Sequence, residues 1–110
     1  QKEQITFEDF SKLDLRTGTI IEAQKMPKTK KLMVLKVDIG LEQRTIVSGI
    51  AEFFKAEDII GKKVSVVINL KPIKLRGTLS EGMILMTENQ AGDLIFVNPD
   101  SESPNGIAIA

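Results

Sequence analysis

The sequence predicts an all-β fold, namely a small closed barrel of five strands with short helices and a C-terminal β extension. Two observations lead to this prediction. Apolar and polar residues alternate with a period of two over 32–39 and 63–70, which is typical of half-buried strands. The chain has 110 residues, enough for one hydrophobic core. No apolar run approaches the roughly 20 residues that a membrane-spanning helix needs.

A short helix is expected near the start of the chain. Residues 1–4 are polar and are expected to form a linker stub before one domain at 5–110. Thr6 can cap the helix, and Asp9 follows three residues later in a variant of the capping box. Three apolar side chains share one helical face and are expected to pack into the core: Phe7, Phe10 and Leu13.

The first three strands follow from the period of two. Residues 15–23 are rich in β-branched side chains, and Gly18 among them indicates the bulge or bend that a small barrel requires. A lysine-rich loop over 25–31 separates this strand from the next one. Residues 32–39 and 43–48 are expected to form the second and third strands, joined as a hairpin.

The second half of the chain supplies another helix and the remaining strands. One or two helical turns are expected over 53–60, followed by a fourth strand over 63–70. A loop at the barrel rim leads to the fifth strand at 83–87, and a turn connects it to 94–97. The turn-rich segment 98–106 precedes an apolar end. A helix between the third and fourth strands is typical of the OB-fold, which we therefore predict, with a small β-sandwich as the alternative.

The composition excludes most kinds of enzyme. The chain has no His and no Cys, which removes the usual neutral-pH base, nucleophile–histidine arrangements, thiolate metal sites and disulfides. Its glycines form no phosphate-binding motif. We therefore expect no catalysis, no metal and no cofactor in this segment. The absence of Cys makes the cytoplasm the expected compartment.

The net charge is zero, but the charge is distributed unevenly along the chain. Residues 1–24 hold three basic and five acidic side chains, and residues 77–110 hold five acidic and no basic ones. Residues 25–76 hold twelve basic and five acidic side chains, a net charge of +7. Because nucleic-acid footprints are local basic patches, this middle segment indicates a nucleic-acid surface. The alternative is that folding scatters these charges over the whole surface.

The segment between the fourth and fifth predicted strands carries candidate binding residues. Loops on a rigid scaffold are where binding residues concentrate. Cations attract phosphates, while amide and hydroxyl groups can bond to sugars, phosphates or base edges. The alternative is a solvated loop whose glycines only permit its turns. The candidates in this segment are Asn69, Lys71, Lys74, Arg76 and Ser80.

A resemblance to a known family rests on several short blocks that occur in a fixed order. The blocks are Asp14-Leu15-Arg16, Lys31-Leu32, Ser48-Gly49-Ile50, Asn69-Leu70-Lys71-Pro72, Arg76-Gly77 and Ser80-Glu81-Gly82-Met83. In this order they resemble the tRNA-binding domain family. That family includes the C-terminal appendage of bacterial methionyl-tRNA synthetases, free-standing tRNA-binding proteins and CsaA chaperone-like proteins. The resemblance runs from about Ile5 to Ala110.

The resemblance implies an OB-fold that binds tRNA by shape and phosphate contacts, usually as a homodimer. Lys30 stands where the family often has Asp, which adds charge to the site. Glu81 is expected to bond the loop backbone or to contact a base amino group. The predicted tRNA-binding residues are Lys28, Lys30, Lys31, Asn69, Lys71, Lys74, Arg76, Ser80, Glu81 and Met83.

The leading interpretation is a non-catalytic tRNA-binding domain that raises the local tRNA concentration for a fused methionine–tRNA ligase. The polar start without Met favours a domain cut from such a ligase. The alternatives are a CsaA-like chaperone, which needs an exposed apolar groove, or a protein-docking module. Few aromatic side chains are available for stacking, and the only pair that could offer an exposed ring is Phe53-Phe54; the favoured interpretation is that shape and phosphate contacts dominate.

The C-terminal third is expected to form a symmetric homodimer. Residues 83–86 are four apolar residues in a row, so a strand places two of them on each face. Residues 106–110 are also unusually apolar for a chain end. A two-fold interface is the commonest way to cover such a patch. The alternative is that these residues cap the barrel of a monomer.

Overall fold

A computed structural model describes residues 1–110 and has a mostly β architecture, which confirms the predicted fold class. Two helices of one turn each accompany nine strands. In chain order the elements are α1 (Phe7–Phe10), β1 (Leu15–Lys25), β2 (Met33–Asp38), β3 (Gln43–Ser48), α2 (Ala56–Ile59), β4 (Lys63–Val67), β5 (Ile73–Leu75), β6 (Thr78–Ser80), β7 (Met83–Ile84), β8 (Met86–Glu88) and β9 (Leu94–Phe96).

Five strands form an antiparallel sheet in the order β3-β2-β1-β4-β7, which curls into a nearly closed barrel. The long strand β1 pairs with β4 over Leu15–Thr19 and with β2 over Thr19–Lys25. The edge strand β3 meets the segment before β7 through a hydrogen bond from Glu81 N to Thr45 O at 2.8 Å. This order, with α2 between β3 and β4, confirms the OB-fold prediction.

Gly18 lies where β1 passes from one partner strand to the other. A Cβ atom on this residue would stand 2.9 Å from Val37 Cγ1 and 3.1 Å from Asp38 O, so β2 approaches too closely for a side chain. The irregularity of the β1–β2 register lies two residues further on, between Ile20 and Glu22. The glycine therefore permits the close approach, and the predicted bulge follows it rather than coinciding with it.

The core fills the barrel with side chains that alternate along the strands. In β2 every second residue is buried, as the period of two predicts. One side chain of α2, Ile59, closes the barrel from outside the sheet. The largest fully buried side chains are Ile20, Met33, Leu35, Ile46, Ile50, Ile59, Val37, Val64 and Val66.

Helix α1 begins as predicted, but it does not pack into the core. Asp9 N donates to Thr6 Oγ1 at 3.2 Å and Thr6 N donates to Asp9 Oδ2 at 3.4 Å, which confirms the capping box. The expected burial was wrong: no residue of α1 is buried, and Phe7 is 80% exposed. The strands already fill the barrel, so Phe7 packs only against Phe10, with ring centroids 6.5 Å apart.

The segment predicted as a rim loop contains a hairpin that the sequence analysis missed. β4 ends at Val67, three residues earlier than expected, and β5 and β6 then pair with each other. Their two-residue turn is Arg76-Gly77, with φ of 50° and 85°. Positive φ at both central residues is the geometry of tight hairpin turns. The hairpin forms a separate two-stranded sheet.

The chain end lies along the first half of β1, which confirms the C-terminal β extension. Thr17 N donates to Ile107 O at 3.0 Å, and Ile109 N donates to Leu15 O at 2.8 Å. The predicted fifth strand is divided at Leu85 into β7 and β8, and β8 pairs with β9. None of the helices is long and apolar enough to cross a membrane.

Candidate nucleic-acid interface

The lysine-rich loop between β1 and β2 is anchored by two residues that point inward. Met26 is buried, and its N–H donates to Leu32 O at 2.9 Å, which closes the loop. Thr29 Oγ1 donates to Met26 O at 3.0 Å within the loop. The lysines Lys28, Lys30 and Lys31 are exposed, and none of them forms a salt bridge. The loop therefore presents three unneutralised cations.

The tip of the β5–β6 hairpin stands beside this loop. Arg76, the first residue of the hairpin turn, lines one shallow depression together with the residues of the lysine loop. The lining residues are Lys28, Thr29, Lys30, Lys31, Leu32 and Arg76. The fold thus gathers four cations from two distant parts of the chain around one concavity. We call these four side chains the cationic cluster: Lys28, Lys30, Lys31 and Arg76.

Two members of the cationic cluster have an unusual backbone conformation. Lys28 has φ of 65° and Arg76 has φ of 50°, and they are the only non-glycine residues of the chain with positive φ. A side chain in this region of conformational space carries strain of about 1–3 kcal/mol, and such strain concentrates at functional sites. Both strained residues line the same depression, which supports the assignment of a site there.

A groove crosses the barrel face below the same two loops. It is bordered by Met26 and Pro27 of the lysine loop and by Thr78 of the hairpin. Polar side chains on its floor and walls include Gln24 and Thr45. The cationic depression therefore lies beside the same two loops as a groove that is lined in part by polar side chains of β1–β3.

The structure places four of the predicted site residues away from the cationic cluster. Lys71 precedes β5 and Lys74 lies within it. Both are exposed, but neither lines the depression. Met83 is exposed on the short strand β7. Glu81 is half-buried, and its N–H donates to Thr45 O in the barrel closure. Their predicted contacts with tRNA stay predictions.

Asn69 and Ser80 make hydrogen bonds at the base of the hairpin. Asn69 Oδ1 accepts from Asp14 N at 2.9 Å, and its Nδ2 donates to Lys12 O at 2.6 Å. Ser80 is only 6% exposed, and its Oγ accepts from Val47 N at 2.9 Å. Ser80 is buried and Asn69 is exposed, but the hydrogen bonds of both side chains satisfy backbone groups of the surrounding chain. Both side chains thus have a structural role, while their predicted contacts with tRNA stay predictions.

Two residues of interest lie outside the predicted set. Arg44, the only charged residue of β3, bonds to the base of the hairpin. A single arginine in a strand without any other charged residue was the available signal. Phe53 exposes 43% of its surface, while Phe54 packs on Phe96 at 4.9 Å between centroids. The sequence left open whether this pair exposes a ring, and in the structure Phe53 does.

A small OB barrel with cationic loops at one mouth is a nucleic-acid-binding module by its fold and by its surface. The comparison with known families makes this class specific. The profile of the family described as "Putative tRNA binding domain" matches residues 15–108. The chain belongs to this tRNA-binding domain family.

Individual relatives agree with this assignment. The chain is 78% identical over 102 residues to the methionine–tRNA ligase of Christiangramia forsetii, covering 93% of this chain and 15% of that ligase. It superposes on a MetRS related protein from Pyrococcus horikoshii with a TM-score of 0.93 and 38% identity, covering 99% of this chain and 100% of that chain. The chaperone CsaA from Bacillus anthracis superposes with a TM-score of 0.87 and 34% identity, covering 98% of this chain and 100% of that chain. The chain thus spans about 15% of the length of the ligases it matches.

Proposed function

We propose that this chain is the non-catalytic tRNA-binding domain of a methionine–tRNA ligase, placed as its C-terminal appendage. The observation that carries the proposal is the cationic cluster, in which Lys28, Lys30 and Lys31 converge with Arg76 on one depression. Four unneutralised cations around a concavity can pair with several phosphates of an RNA backbone at once. The family membership and the high identity to methionine–tRNA ligases support the same conclusion.

The contacts are proposed to be with phosphates and sugars rather than with stacked bases. No aromatic ring lines the depression. The exposed ring of Phe53 lies in a neighbouring segment, which is joined to the lysine loop by a hydrogen bond from Ala51 N to Lys31 O. Proteins that bind without stacking platforms recognise the shape and backbone of the nucleic acid. This mode suits a domain that binds tRNA by its overall form.

The role of such a domain in the ligase follows from tethering. A domain joined to a catalytic region holds its ligand at an effective concentration in the millimolar range, roughly, for a short linker. The domain therefore raises tRNA occupancy without any group that reacts. We place this activity in the cytoplasm and expect no catalysis by these residues alone, in agreement with the absence of His and Cys.

The test of the proposed function is the dependence of tRNA binding on salt. Anisotropy titrations of labelled, unfractionated tRNA at several salt concentrations should give a linear fall of log K with log salt. With four cations engaged, the slope is expected to be about −3 to −4. A binding constant that stays constant between about 50 and 200 mM salt would contradict an electrostatic tRNA site.

The alternative function is binding of an apolar protein segment, as for a chaperone. The observation that favours it is the exposed apolar face of α1, formed by Phe7, Phe10 and Leu13 with Ile5 beside them. Apolar binding responds weakly to salt or strengthens with it, since it depends on the area removed from water. The salt titration with an unfolded protein in place of tRNA therefore separates the two functions.

We further propose a symmetric homodimer through the C-terminal third. Beyond residue 86, three large apolar side chains are exposed: Ile95, Val97 and Ile107. The segment 77–110 carries five acidic and no basic side chains, so it repels tRNA and leaves the cationic cluster free. A two-fold interface would cover the apolar side chains and keep binding and association on different surfaces.

Sedimentation equilibrium at micromolar concentration tests the dimer. The expected mass is about twice the 12.1 kDa of one chain. Ile107→Asp should dissociate the dimer, because it places a charge in the proposed interface. Leu41→Asp is the control, since Leu41 is fully exposed and lies outside the C-terminal third. A monomeric wild type contradicts the dimer, and a dimer that survives deletion of 104–110 places the interface elsewhere.

A further inference from the structure

One guanidinium bridges the two ends of the hairpin that carries Arg76. Arg44 lies in β3, and its side chain is 22% exposed. Its Nη1 donates to Ile68 O at 2.5 Å and to Glu81 O at 3.3 Å. Ile68 directly follows β4 and Glu81 directly follows β6. The two carbonyls therefore mark where the excursion 69–80 leaves the barrel and where it returns.

The guanidinium is held in this orientation by a third hydrogen bond. Arg44 Nη2 donates to Glu42 Oε1 at 2.9 Å. A planar guanidinium has several donors in a fixed geometry, so one group can bind a carboxylate and two carbonyls at once. A lysine ammonium in the same place is a flexible point charge and lacks this geometry.

The hairpin depends on such a bridge because it is not part of the barrel sheet. β5 and β6 pair only with each other, and an isolated two-stranded hairpin has little stability in water. On the returning arm, Ser80 Oγ accepts from Val47 N and Glu81 N donates to Thr45 O, so two hydrogen bonds join this arm to β3. The departing arm is bound at Ile68 and Asn69 to the chain near Asp14. Arg44 is the side chain that bonds to both arms.

We propose that Arg44 is a positioning residue for tRNA binding. It fixes the base of the β5–β6 hairpin, so that Arg76 at the tip stays beside Lys28, Lys30 and Lys31. Arg44 itself bonds to carbonyls and to Glu42, and it does not line the depression. The predicted effect on tRNA binding rests on the proposed function. The geometry of the bridge is independent of that function.

The test compares Arg44→Met and Arg44→Lys with Arg16→Met. Arg16 is a matched control because it is also partly buried, with Nε bonding to Asp14 Oδ1 at 2.7 Å and Nη1 to Gly106 O at 3.1 Å. Arg16 bonds to the C-terminal segment and to the Asp14 carboxylate, whereas the departing arm of the hairpin bonds to the Asp14 backbone. Each protein is measured by amide hydrogen exchange over 73–80, by tRNA affinity and by the slope of log K against log salt.

Arg44→Met is expected to speed exchange in the hairpin at least tenfold and to weaken tRNA binding about tenfold. The salt slope should fall by no more than about one unit, because a displaced hairpin tip weakens at most the one phosphate contact of Arg76. Arg44→Lys should recover part of the affinity, and it serves as the test variant if Arg44→Met does not fold. Arg16→Met should leave hairpin exchange and affinity as in the wild type.

Several outcomes would overturn the inference. Unchanged exchange and affinity in both Arg44 variants would show that the hairpin stands without the bridge. A fall of the slope by about one unit without faster exchange in the hairpin would show that Arg44 contacts a phosphate directly. An equal effect in Arg16→Met would show a general loss of stability. If the wild type does not bind tRNA, the proposed function fails, and hydrogen exchange alone still decides whether Arg44 holds the hairpin.

Discussion

Replacement of Lys30, Lys31 and Arg76 together by Gln is expected to weaken tRNA binding by about 100-fold. Gln keeps much of the side-chain length and removes only the charge. Each lost ion pair with a phosphate accounts for up to about 1 kcal/mol, and three of them for about two orders of magnitude in affinity. The slope of log K against log salt should fall by about 2–3 units, because about three fewer counterions are released.

The single variants give the increments of this effect. Arg76→Ala and Lys31→Ala should each weaken binding and lower the slope by about one unit. Lys31 and Arg76 come from different loops but line one depression, so their effects should add when the tRNA backbone contacts both. Unchanged affinity and slope in both single variants would place the tRNA site elsewhere on the molecule.

A matched triple variant separates local contact from total charge. Lys2, Lys12 and Lys62 lie outside the depression, and their replacement by Gln removes the same three charges. Long-range attraction to tRNA depends on net charge and falls off beyond about 10 Å at 0.1 M salt. The control should therefore lose only a small part of the affinity. Equal losses of tRNA affinity in the two triple variants would mean that binding depends on net charge and not on the cationic cluster.

The barrel was predictable because its strands follow one simple rule. In β2 the inward residues Met33, Leu35 and Val37 alternate with less buried ones, so the period of two specifies both element and face. The hairpin of β5 and β6 was not predictable in the same way. Its strands have three residues each, and its turn places Arg76 in a conformation that glycine and asparagine usually adopt.

The orientation of α1 could not be derived from its pattern. Phe7 and Phe10 lie side by side on α1 and Leu13 follows the helix, but all three side chains are exposed. An amphipathic pattern reports that a face is apolar and does not say what covers it. The strands fill the barrel without any side chain of α1, so the pattern was correct and the inferred burial was not.

The sequence predicts which types of residue form the candidate site, but it does not predict how the fold arranges them. Charge along the sequence identified 25–76 as basic, and the rim loop together with the resemblance supplied the individual side chains. Only the fold brings Lys28 and Arg76 to one depression. For Ser80 and Asn69, a hydroxyl or amide suits a ligand and a backbone bond equally well. The bonds to Val47 N and Asp14 N distinguish the two uses.

Gly106→Ala is expected to lower the free energy of unfolding by about 3 kcal/mol and to displace the C-terminal segment from β1. Gly106 has φ of 81°, and a Cβ atom there would stand 2.4 Å from Ile39 O. A backbone carbonyl cannot move aside as a flexible side chain can. The segment would therefore shift and lose the bond from Gly106 N to Thr17 O, which is 2.8 Å long.

Gly92→Ala isolates the contribution of this contact. Gly92 has φ of 88°, close to that of Gly106, but no atom lies within 4 Å of its would-be Cβ. Its replacement should therefore cause only the backbone strain, about 1–2 kcal/mol. Urea unfolding at one fixed protein concentration measures both variants. Equal losses would show that the segment yields to the added methyl group. A larger loss for Gly106→Ala, with a simultaneous shift from dimer to monomer, would show that docking of 104–109 on β1 also shapes the proposed interface.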